Sequence, residues 1–286
     1  MSKVAYIVDC VRTAGGKRKG SLAERHPADL GAEVLNALID RTKLDGALID
    51  DVIFGCVSQV GAQATNVARN AVLASKLPIS VPATTIDRQC GSAQQAIHFA
   101  AQAVMSGTQD IVVAGGVELM SLINIGANAV VGLKAGLGAP LSEQITDKYP
   151  AAAGLPVFSQ FVGAELVAKE FGLSRAEMDA FAAESHARAA AATKAGKFKG
   201  EIVPVAGKDA KTGEAVTLAV DEGIRAGVTS EALGKLKVLL PDGLLTAGSA
   251  SQVTDGAAAV LIMNEEGLRK SGLKPRAKYV LASTSG

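Results

Sequence analysis

The chain has 286 residues, of which 48% are hydrophobic and 20% are charged, a balance typical of a folded protein with one large or two ordinary domains. The formal net charge is +1, aromatic residues make up 3% and tryptophan is absent, which argues against a basic nucleic-acid surface and against base-stacking platforms. Three widely spaced cysteines without a Cys-x-x-Cys pair indicate neither a zinc site nor a disulfide framework, and they favour a reducing, cytoplasmic setting.

Strands and helices alternate in the first part of the chain. Apolar and β-branched runs predict strands over residues 4–8, 51–57, 84–86 and 110–116. Helical patterns fill the intervals over residues 29–41, 66–76 and 91–107, the first of them with Asp29 as its expected N-cap. This alternation predicts an α/β fold with a mostly parallel sheet and helices on both faces. Ligands of such sheets bind beyond the carboxyl ends of the strands.

Two other stretches of the first part bear on location and ligands. The opening residues run straight into the first strand, so we expect no signal peptide. The uncharged run over residues 119–133 is too short and too rich in Gly and Asn to predict a membrane span. The loop over residues 12–20 carries the cluster Lys17-Arg18-Lys19; a solvated loop is the preferred interpretation and anion binding the alternative.

The stretch from Thr84 to Gly107 is the one around which the chain is organised. Cys90 lies where the short strand turns into the helix, and free backbone N–H groups with the helix dipole stabilise a thiolate there. A thiolate attacks acyl groups, although an inert core cysteine remains an alternative on these residues alone. No charged residue occurs between Gln89 and Gln109, so we expect a central helix that is buried on all sides.

The second part of the chain is less regular. Residues 121–156 are expected to form a long loop, and Ser174 with Glu177 predicts a capping box for a helix that ends near Lys194. A short strand over 201–205, a turn over 211–214 and a short helix over 229–236 follow. A small-residue loop then leads into a buried strand from residue 257, a turn over 267–275 and a strand over 278–281. Residues 120–245 are therefore interpreted as an insertion into the first domain.

Several segments in this order resemble the thiolase family, which comprises acetyl-CoA acetyltransferases and 3-ketoacyl-CoA thiolases. They are Arg88-Gln89-Cys90-Gly91-Ser92, Ala114-Gly115-Gly116-Val117-Glu118, Glu201-Ile202-Val203-Pro204-Val205, Thr246-Ala247-Gly248 and Asp255-Gly256-Ala257-Ala258-Ala259. The resemblance implies a thiolase-like β-α-β-α-β-α-β-β layered domain over 1–119 and 246–272. It also implies an inserted loop domain over 120–245, and a truncated C-terminal domain that begins at 273–286, with most of the C-terminal half missing.

The resemblance also implies the site. Cys90 would be the nucleophile that is acylated during a ping-pong exchange with coenzyme A (CoA). Ser251 would contact the pantetheine arm of CoA and Arg225 its nucleotide end. Met120, Gly115 and Gly116 would lie near the acyl pocket. No metal or tightly bound cofactor is implied; CoA and acyl-CoA are the substrates. The full-length protein would be a homodimer or a dimer of dimers without nucleic-acid or membrane partners. The family's second domain would cover one face of the helix that follows Cys90, so in this chain alone that face would be left bare or be covered by a dimer partner.

Departures from the family pattern shape the functional hypothesis. The family's Gly-His-Pro motif and its second cysteine in Cys-x-Gly-Gly-Gly do not occur in this sequence, so we expect the chain alone not to turn over. His98 cannot replace the missing base, because eight helical residues place it roughly 12 Å from Cys90 along the axis. Ser159-Gln160-Phe161 stands where many members have His-Met-Gly, and it resembles the branch that handles longer or bulky ketoacyl-CoAs.

Two alternative functions stay open at this stage. A non-catalytic carrier of CoA or lipid could keep the thiolase shape without its chemistry. A dinucleotide-binding Rossmann module is the weaker alternative, because the loop from Gly15 to Gly20 lacks G-x-G-x-x-G.

Overall fold

The computed structural model describes residues 3–150, 158–280 and 282–283. The strands are β1 (Tyr6–Thr13), β2 (Gly16–Lys17), β3 (Asp51–Gly55), β4 (Ala83–Ile86), β5 (Ile111–Leu119), β6 (Ile202–Val203), β7 (Val205–Lys208), β8 (Ala215–Leu218), β9 (Thr254–Met263) and β10 (Ala277–Lys278). The helices are α1 (Pro27–Thr42), α2 (Val67–Ala74), α3 (Ser92–Ser106), α4 (Ala127–Lys134), α5 (Glu143–Lys148), α6 (Gln160–Glu170), α7 (Arg175–Lys194), α8 (Ser230–Gly234) and α9 (Glu265–Ser271).

The main sheet has the strand order β10-β1-β9-β5-β3-β4, with β2 paired to β9 and β6 to β1. β3 pairs in parallel with β4 and β5, whereas β9 runs antiparallel between β5 and β1. β1, β3, β4 and β5 therefore point the same way, which confirms the prediction of an α/β fold with a parallel core. The antiparallel β9 is the exception that the sequence did not predict.

Helices cover the sheet on both faces, because alternate side chains of each strand belong to different cores. Val52 and Phe54 of β3 join the core beneath α1 and α2, and Ile53 joins the core beneath α3. The same alternation in β5 sends Val113 to the first core and Val112 to the second. This buried, two-sided pattern is typical of a sheet between two helical layers.

Burial on all sides, which the uncharged pattern alone predicts for α3, is wrong, whereas the bare face that the family resemblance implies agrees with the structure. Its inner face is closed, with Ala96 and Ala100 fully buried against the sheet. Its outer face is open: Gln94 and Gln102 are exposed, and Phe99 is 39% exposed. The small residues let α3 pack closely on the sheet, but no described element of this chain covers the opposite face.

Other elements differ in their ends or their kind from the predictions. Helix α1 begins at Pro27, and its N-cap is His26, whose Nδ1 accepts the N–H of Ala28 at 3.2 Å; Asp29 lies in the first turn. The expected loop over 121–156 contains α4 and α5, and its residues 151–156 lie outside the described residues. The expected turn over 267–275 begins in α9. The expected strand over 278–281 is limited to β10, and Leu281 lies outside the described residues.

The chain divides into two compact units. One consists of Met1–Asn128, Gly200–Glu222 and Thr254–Gly286 and contains the main sheet; the other consists of Ala129–Lys199 and Gly223–Val253 and contains α6, α7 and α8. The family's domain limits, expected at 1–119 with 246–272, at 120–245 and at 273–286, stay a prediction. Within the first unit, residues 200–222 lie with the sheet through β6, which pairs with β1.

Candidate active site

Cys90 lies in the turn between β4 and α3, as the sequence predicts, and it is exposed. The carboxylate of Asp87 accepts the N–H of Gln89 at 2.6 Å. The hydroxyl of Ser92 accepts the N–H of Arg88 at 2.9 Å and donates to the C=O of Gln89 at 2.6 Å. Gln89 adopts a φ of +46°, a left-handed conformation that non-glycine residues rarely adopt. The turn before the cysteine is therefore fixed by local hydrogen bonds.

The first turn of α3 offers backbone donors next to this turn. The N–H groups of Gly91 and Ser92 bond to the C=O groups of Arg88 and Gln89. Those of Ala93 and Gln94 have no acceptor among the residues that the structure describes. Unpaired N–H groups and the helix dipole favour negative charge at this end of a helix. Proteins commonly place nucleophilic cysteines at such helix starts, and the role of Cys90 as the nucleophile stays a prediction.

Glycines let α3 begin directly on the sheet. A Cβ placed on Gly55 would lie 2.4 Å from the backbone N of Ala93, and one on Gly116 would lie 2.6 Å from the C=O oxygen of Gly55. Both distances are too short for a side chain, so β3 and β5 need glycine beneath the start of α3. Gly55 thus lets the start of α3 approach β3 closely, and Gly116 lets β5 pair closely with β3.

The strand predicted over 110–116 does not end at Gly116, because β5 continues to Leu119. Gly115 pairs with Ala259 of β9, and a Cβ on it would lie 2.0 Å from the C=O oxygen of Ala258. These glycines therefore allow close approach of neighbouring strands and of α3. Their expected place near the acyl pocket stays a prediction.

Met120, the third residue predicted near the acyl pocket, directly follows β5 and is half-buried. The next residue, Ser121, donates its backbone N–H to the carboxylate of Asp255 at 2.8 Å. Asp255 is fully buried at the start of β9, and burial raises the pKa of its carboxyl group above the ordinary value. The segment that carries Met120 is thus anchored to β9.

A partly buried hydrogen-bond network around Glu118 is a feature that the sequence did not predict. The Glu118 carboxylate accepts the N–H groups of Val57 at 2.7 Å and Ser58 at 3.2 Å, and the amide of Gln63 at 2.8 Å. The side-chain oxygen of Gln63 accepts the N–H of Leu119 at 2.8 Å. The network ties the loop after β3 to the end of β5. The sequence feature that could have indicated this network is Glu118 itself, a single carboxylate at the end of an apolar strand.

The two other cysteines differ sharply from Cys90. Cys56 is buried, and its thiol pKa is raised far above the ordinary value, first by burial and then by the nearby Glu118 carboxylate. Cys10 lies half-buried in β1. Cys56 directly follows β3 and belongs to the apolar core, whereas Cys10 is not among the core residues.

The two residues expected to contact CoA lie in the second unit, on loops that are joined to each other. Ser251 and Arg225 are both exposed. The side-chain amide of Gln252 donates to the C=O of Gly223 at 3.0 Å, which links the two loops. The backbone N–H of Arg225 donates to Nδ1 of His186 at 3.2 Å. The loops thus present a serine and an arginine from one connected surface, and their role in binding CoA stays a prediction.

The three histidines have other contacts. His26 caps α1, and His186 holds the backbone of Arg225. His98 is buried and packs edge to face against the ring of Tyr279 at 6.2 Å. None of these contacts involves Cys90.

The described residues contain neither a membrane-spanning helix nor a cluster of metal-binding side chains. No helix over residues 3–150, 158–280 and 282–283 is long and apolar enough to span a membrane. Over the same residues, no group of three or more His, Cys, Asp or Glu side chains could hold a metal ion.

Comparison with known proteins places this geometry in a family. The sequence model of the family described as "Thiolase, N-terminal domain" matches residues 5–266. A steroid 3-ketoacyl-CoA thiolase of Mycobacterium tuberculosis is 47% identical over 274 residues, which cover 96% of this chain and 65% of that protein. A beta-ketoadipyl-CoA thiolase of Acinetobacter baylyi is 43% identical over 296 residues, covering 99% of this chain and 72% of that one.

A solved structure agrees. The acetyl-CoA acetyltransferase of Bacillus anthracis matches with a TM-score of 0.81 and 32% identity, over 96% of this chain and 68% of that one. The chain thus spans about two thirds of the length of the relatives that it matches. Because the family match covers most of the chain and both sequence relatives exceed 40% identity, the chain belongs to the thiolase family.

Proposed function

We propose that this chain is the nucleophile-bearing part of a thiolase-type acyltransferase that exchanges acyl groups between 3-ketoacyl-CoA and CoA. The observation that carries the proposal is the exposed Cys90, fixed in the turn at the start of α3. Relatives named as 3-ketoacyl-CoA thiolases align over this segment of the chain. The substrates, CoA and acyl-CoA, are carried over from those names.

In the proposed reaction, the Cys90 thiolate attacks the C3 carbonyl of the 3-ketoacyl-CoA. The C2–C3 bond breaks, its electron pair leaves with the acetyl-CoA fragment, and that fragment takes up a proton. The shortened acyl group remains on Sγ as a thioester. The thiolate of CoA then attacks this thioester, acyl-CoA leaves and the Cys90 thiolate is regenerated. Backbone N–H groups are suited to hold the oxyanion that forms at each addition.

The proton transfers need an acid and a base that the described contacts do not provide. His26, His98 and His186 contact α1, Tyr279 and Arg225, respectively. A base must come within about 3 Å of the group that it deprotonates. We therefore propose that the chain alone does not turn over, and that it needs residues of the kind that the longer relatives supply beyond the matched segment.

The acyl group is proposed to be long or bulky. Ser159 caps α6 through a hydrogen bond from the N–H of Phe161 to its hydroxyl at 3.3 Å, in the segment where many family members have His-Met-Gly. One relative is named a steroid 3-ketoacyl-CoA thiolase, in agreement with this proposal. The exposed thiol requires a reducing compartment, so we propose a cytoplasmic enzyme; a homo-oligomer is proposed from the family alone.

A thiolysis assay tests the proposal. We compare the chain alone with a chimaera that continues, after Gly286, into the remaining residues of the Mycobacterium tuberculosis relative. The chimaera is expected to cleave 3-ketoacyl-CoA when CoA is added, and Cys90→Ala in it lowers kcat at least about a thousandfold. The variant Cys10→Ala is the matched control and keeps the activity.

Three outcomes would contradict this account. Thiolysis by the chain alone at the rate of the chimaera would show that no further base is needed. Unchanged activity of the Cys90→Ala chimaera would remove the nucleophile. Tight binding of acyl-CoA without turnover, in a folded chimaera, would favour the alternative of a non-catalytic carrier.

A further inference from the structure

We define the Cys90 turn as residues 87–92. Ser92 follows Cys90 in this turn and bonds to residues that precede the cysteine. It stands at the first position of α3 and is only 3% exposed. Its hydroxyl accepts the N–H of Arg88 at 2.9 Å and donates to the C=O of Gln89 at 2.6 Å. Both partners precede Cys90, so the hydroxyl closes the turn across the cysteine.

Gly55 supports the same turn from the sheet. A Cβ on Gly55 would lie 2.4 Å from the N of Ala93, 2.4 Å from the carbonyl carbon of Ser92 and 2.7 Å from its Cβ. Two of these atoms belong to the backbone, so a side chain at Gly55 could be accommodated only if the start of α3 moved. Gly55 thus sets how closely the residue after the Cys90 turn approaches β3.

We propose that Ser92 and Gly55 are positioning residues for the Cys90 thiol. Neither acts on substrate; together they hold the turn at the end of α3 where the N–H groups of Ala93 and Gln94 have no acceptor in the described structure. The inference rests on the proposed role of Cys90 and deepens it. It names the residues that keep the nucleophile in the place where a thiolate is stabilised.

Removal of either residue has a defined physical consequence. Ser92→Ala leaves the N–H of Arg88 and the C=O of Gln89 without their hydroxyl partner, and the turn loosens. Gly55→Ala keeps the hydroxyl and displaces the start of α3. In both variants the thiolate loses part of its backbone stabilisation. We expect the alkylation rate of Cys90 at neutral pH to fall about tenfold, the size that one or two lost hydrogen bonds support.

The experiment measures iodoacetamide labelling of each cysteine in the intact chain by peptide mass spectrometry, from about pH 6 to about pH 9, where thiols titrate. Ser106→Ala is the control for Ser92→Ala, because Ser106 lies at the other end of α3 and its hydroxyl donates to the C=O of Ala103 at 2.8 Å. Gly31→Ala is the control for Gly55→Ala, because its Cβ would lie 2.9 Å from the Cβ of Ala71 in the other helical layer. Cys56, which is buried, reports loss of the fold when it becomes labelled.

In both variants we expect iodoacetamide to alkylate Cys90 more slowly than in the wild type, and we expect the curve of alkylation rate against pH to lie at higher pH. Neither control is expected to show these changes. The proposal would be overturned if Cys56 stays unlabelled in both variants and the alkylation rate of Cys90 depends on pH as it does in the wild type. So would labelling of Cys56 in both variants, because it would assign both residues to the fold as a whole. If wild-type Cys90 itself labels no faster than Cys10, the proposed function fails instead, and the two failures are distinguishable.

Discussion

At the scale of single residues, the three cysteines differ in their exposure and in their surroundings, and therefore in the reactivity expected of each thiol. Cys90 is exposed at a helix start, Cys10 is half-buried in β1, and Cys56 is buried. The pKa of the Cys56 thiol is raised by its burial and by the Glu118 carboxylate, so it is protonated at all physiological pH values. Only Cys90 combines access with backbone donors.

The order of thiol reactivity follows from these environments. Iodoacetamide at neutral pH is expected to label Cys90 first, Cys10 more slowly and Cys56 only on unfolding, because alkylation requires an accessible thiolate. Time-resolved peptide mass spectrometry measures the three rates in one sample. Labelling of Cys10 or Cys56 ahead of Cys90 would contradict the assignment of Cys90 as the reactive cysteine.

The role of a single residue can be predicted from the sequence when the residues that create its environment are close to it in the chain. Cys90 could be located because the strand, the turn and the helix around it are consecutive in the sequence. Glu118 could not be assigned its role, because its hydrogen-bond partners Val57, Ser58 and Gln63 lie more than fifty residues away and meet it only in the folded sheet. Residues with long-range polar partners have no comparable local pattern.

At the scale of secondary-structure elements, predictions succeeded where the ends of an element are determined locally. Helix α7 begins with the capping box of Ser174 and Glu177, and α3 ends at Gly107 with a φ of +80°, both as predicted. The reversed direction of β9 and the open outer face of α3 depend on which elements become neighbours. Neither is determined by residues within the element itself.

The glycines of β5 provide an element-scale prediction. Gly115→Ala is expected to lower the free energy of unfolding by about 3 kcal/mol or more, because the new Cβ would overlap the C=O of Ala258 in the paired strand β9. Urea unfolding followed by circular dichroism measures the difference. Gly200→Ala is the control in the same unit: its Cβ meets nothing within 4 Å, and we expect a change within about 0.5 kcal/mol. Equal stability of both variants would refute this explanation of the glycine.

The start of β5 provides a pH-dependent prediction. The carboxylate of Asp110 accepts hydrogen bonds from Lys270 at 2.8 Å, Asn264 at 2.8 Å and Lys3 at 3.1 Å, which join α9 and the amino-terminal segment to β5. The pKa of Asp110 is lowered to about 2, chiefly by Lys270. Since the unfolded value is about 3.9, the stabilisation is present above about pH 4 and is lost as the pH falls toward about 2.

Asp110→Asn is therefore expected to remove part of the acid sensitivity of the fold. Relative to wild type, the variant is less stable near neutral pH, by at most about 1 kcal/mol because solvent reaches this half-buried carboxylate and its exposed lysine partners and screens their charges. The two unfolding free energies converge at low pH. Chemical denaturation at a series of pH values measures both, with Asp147→Asn on the exposed helix α5 as control. A difference that stays constant down to pH 2 would contradict the linkage.

At the scale of the whole molecule, family and fold class could be predicted from the sequence because several short motifs occur in the family's order. The domain limits expected from the family stay a prediction. In the structure, residues 200–222 lie in the unit of the main sheet, and β6 of this segment pairs with β1. Such pairings between distant segments leave little trace in composition or periodicity.

We propose that Cys90 carries the acyl group during the reaction, and trapping of the acyl-enzyme is the decisive experiment. The chimaera is incubated with 3-ketoacyl-CoA in the absence of free CoA and then digested for peptide mass spectrometry, beside its Cys90→Ala variant. The account predicts an acyl adduct on the peptide that contains Cys90, its removal when CoA is added, and no adduct in the variant. An adduct on another residue, or binding of the substrate without any adduct, would contradict it.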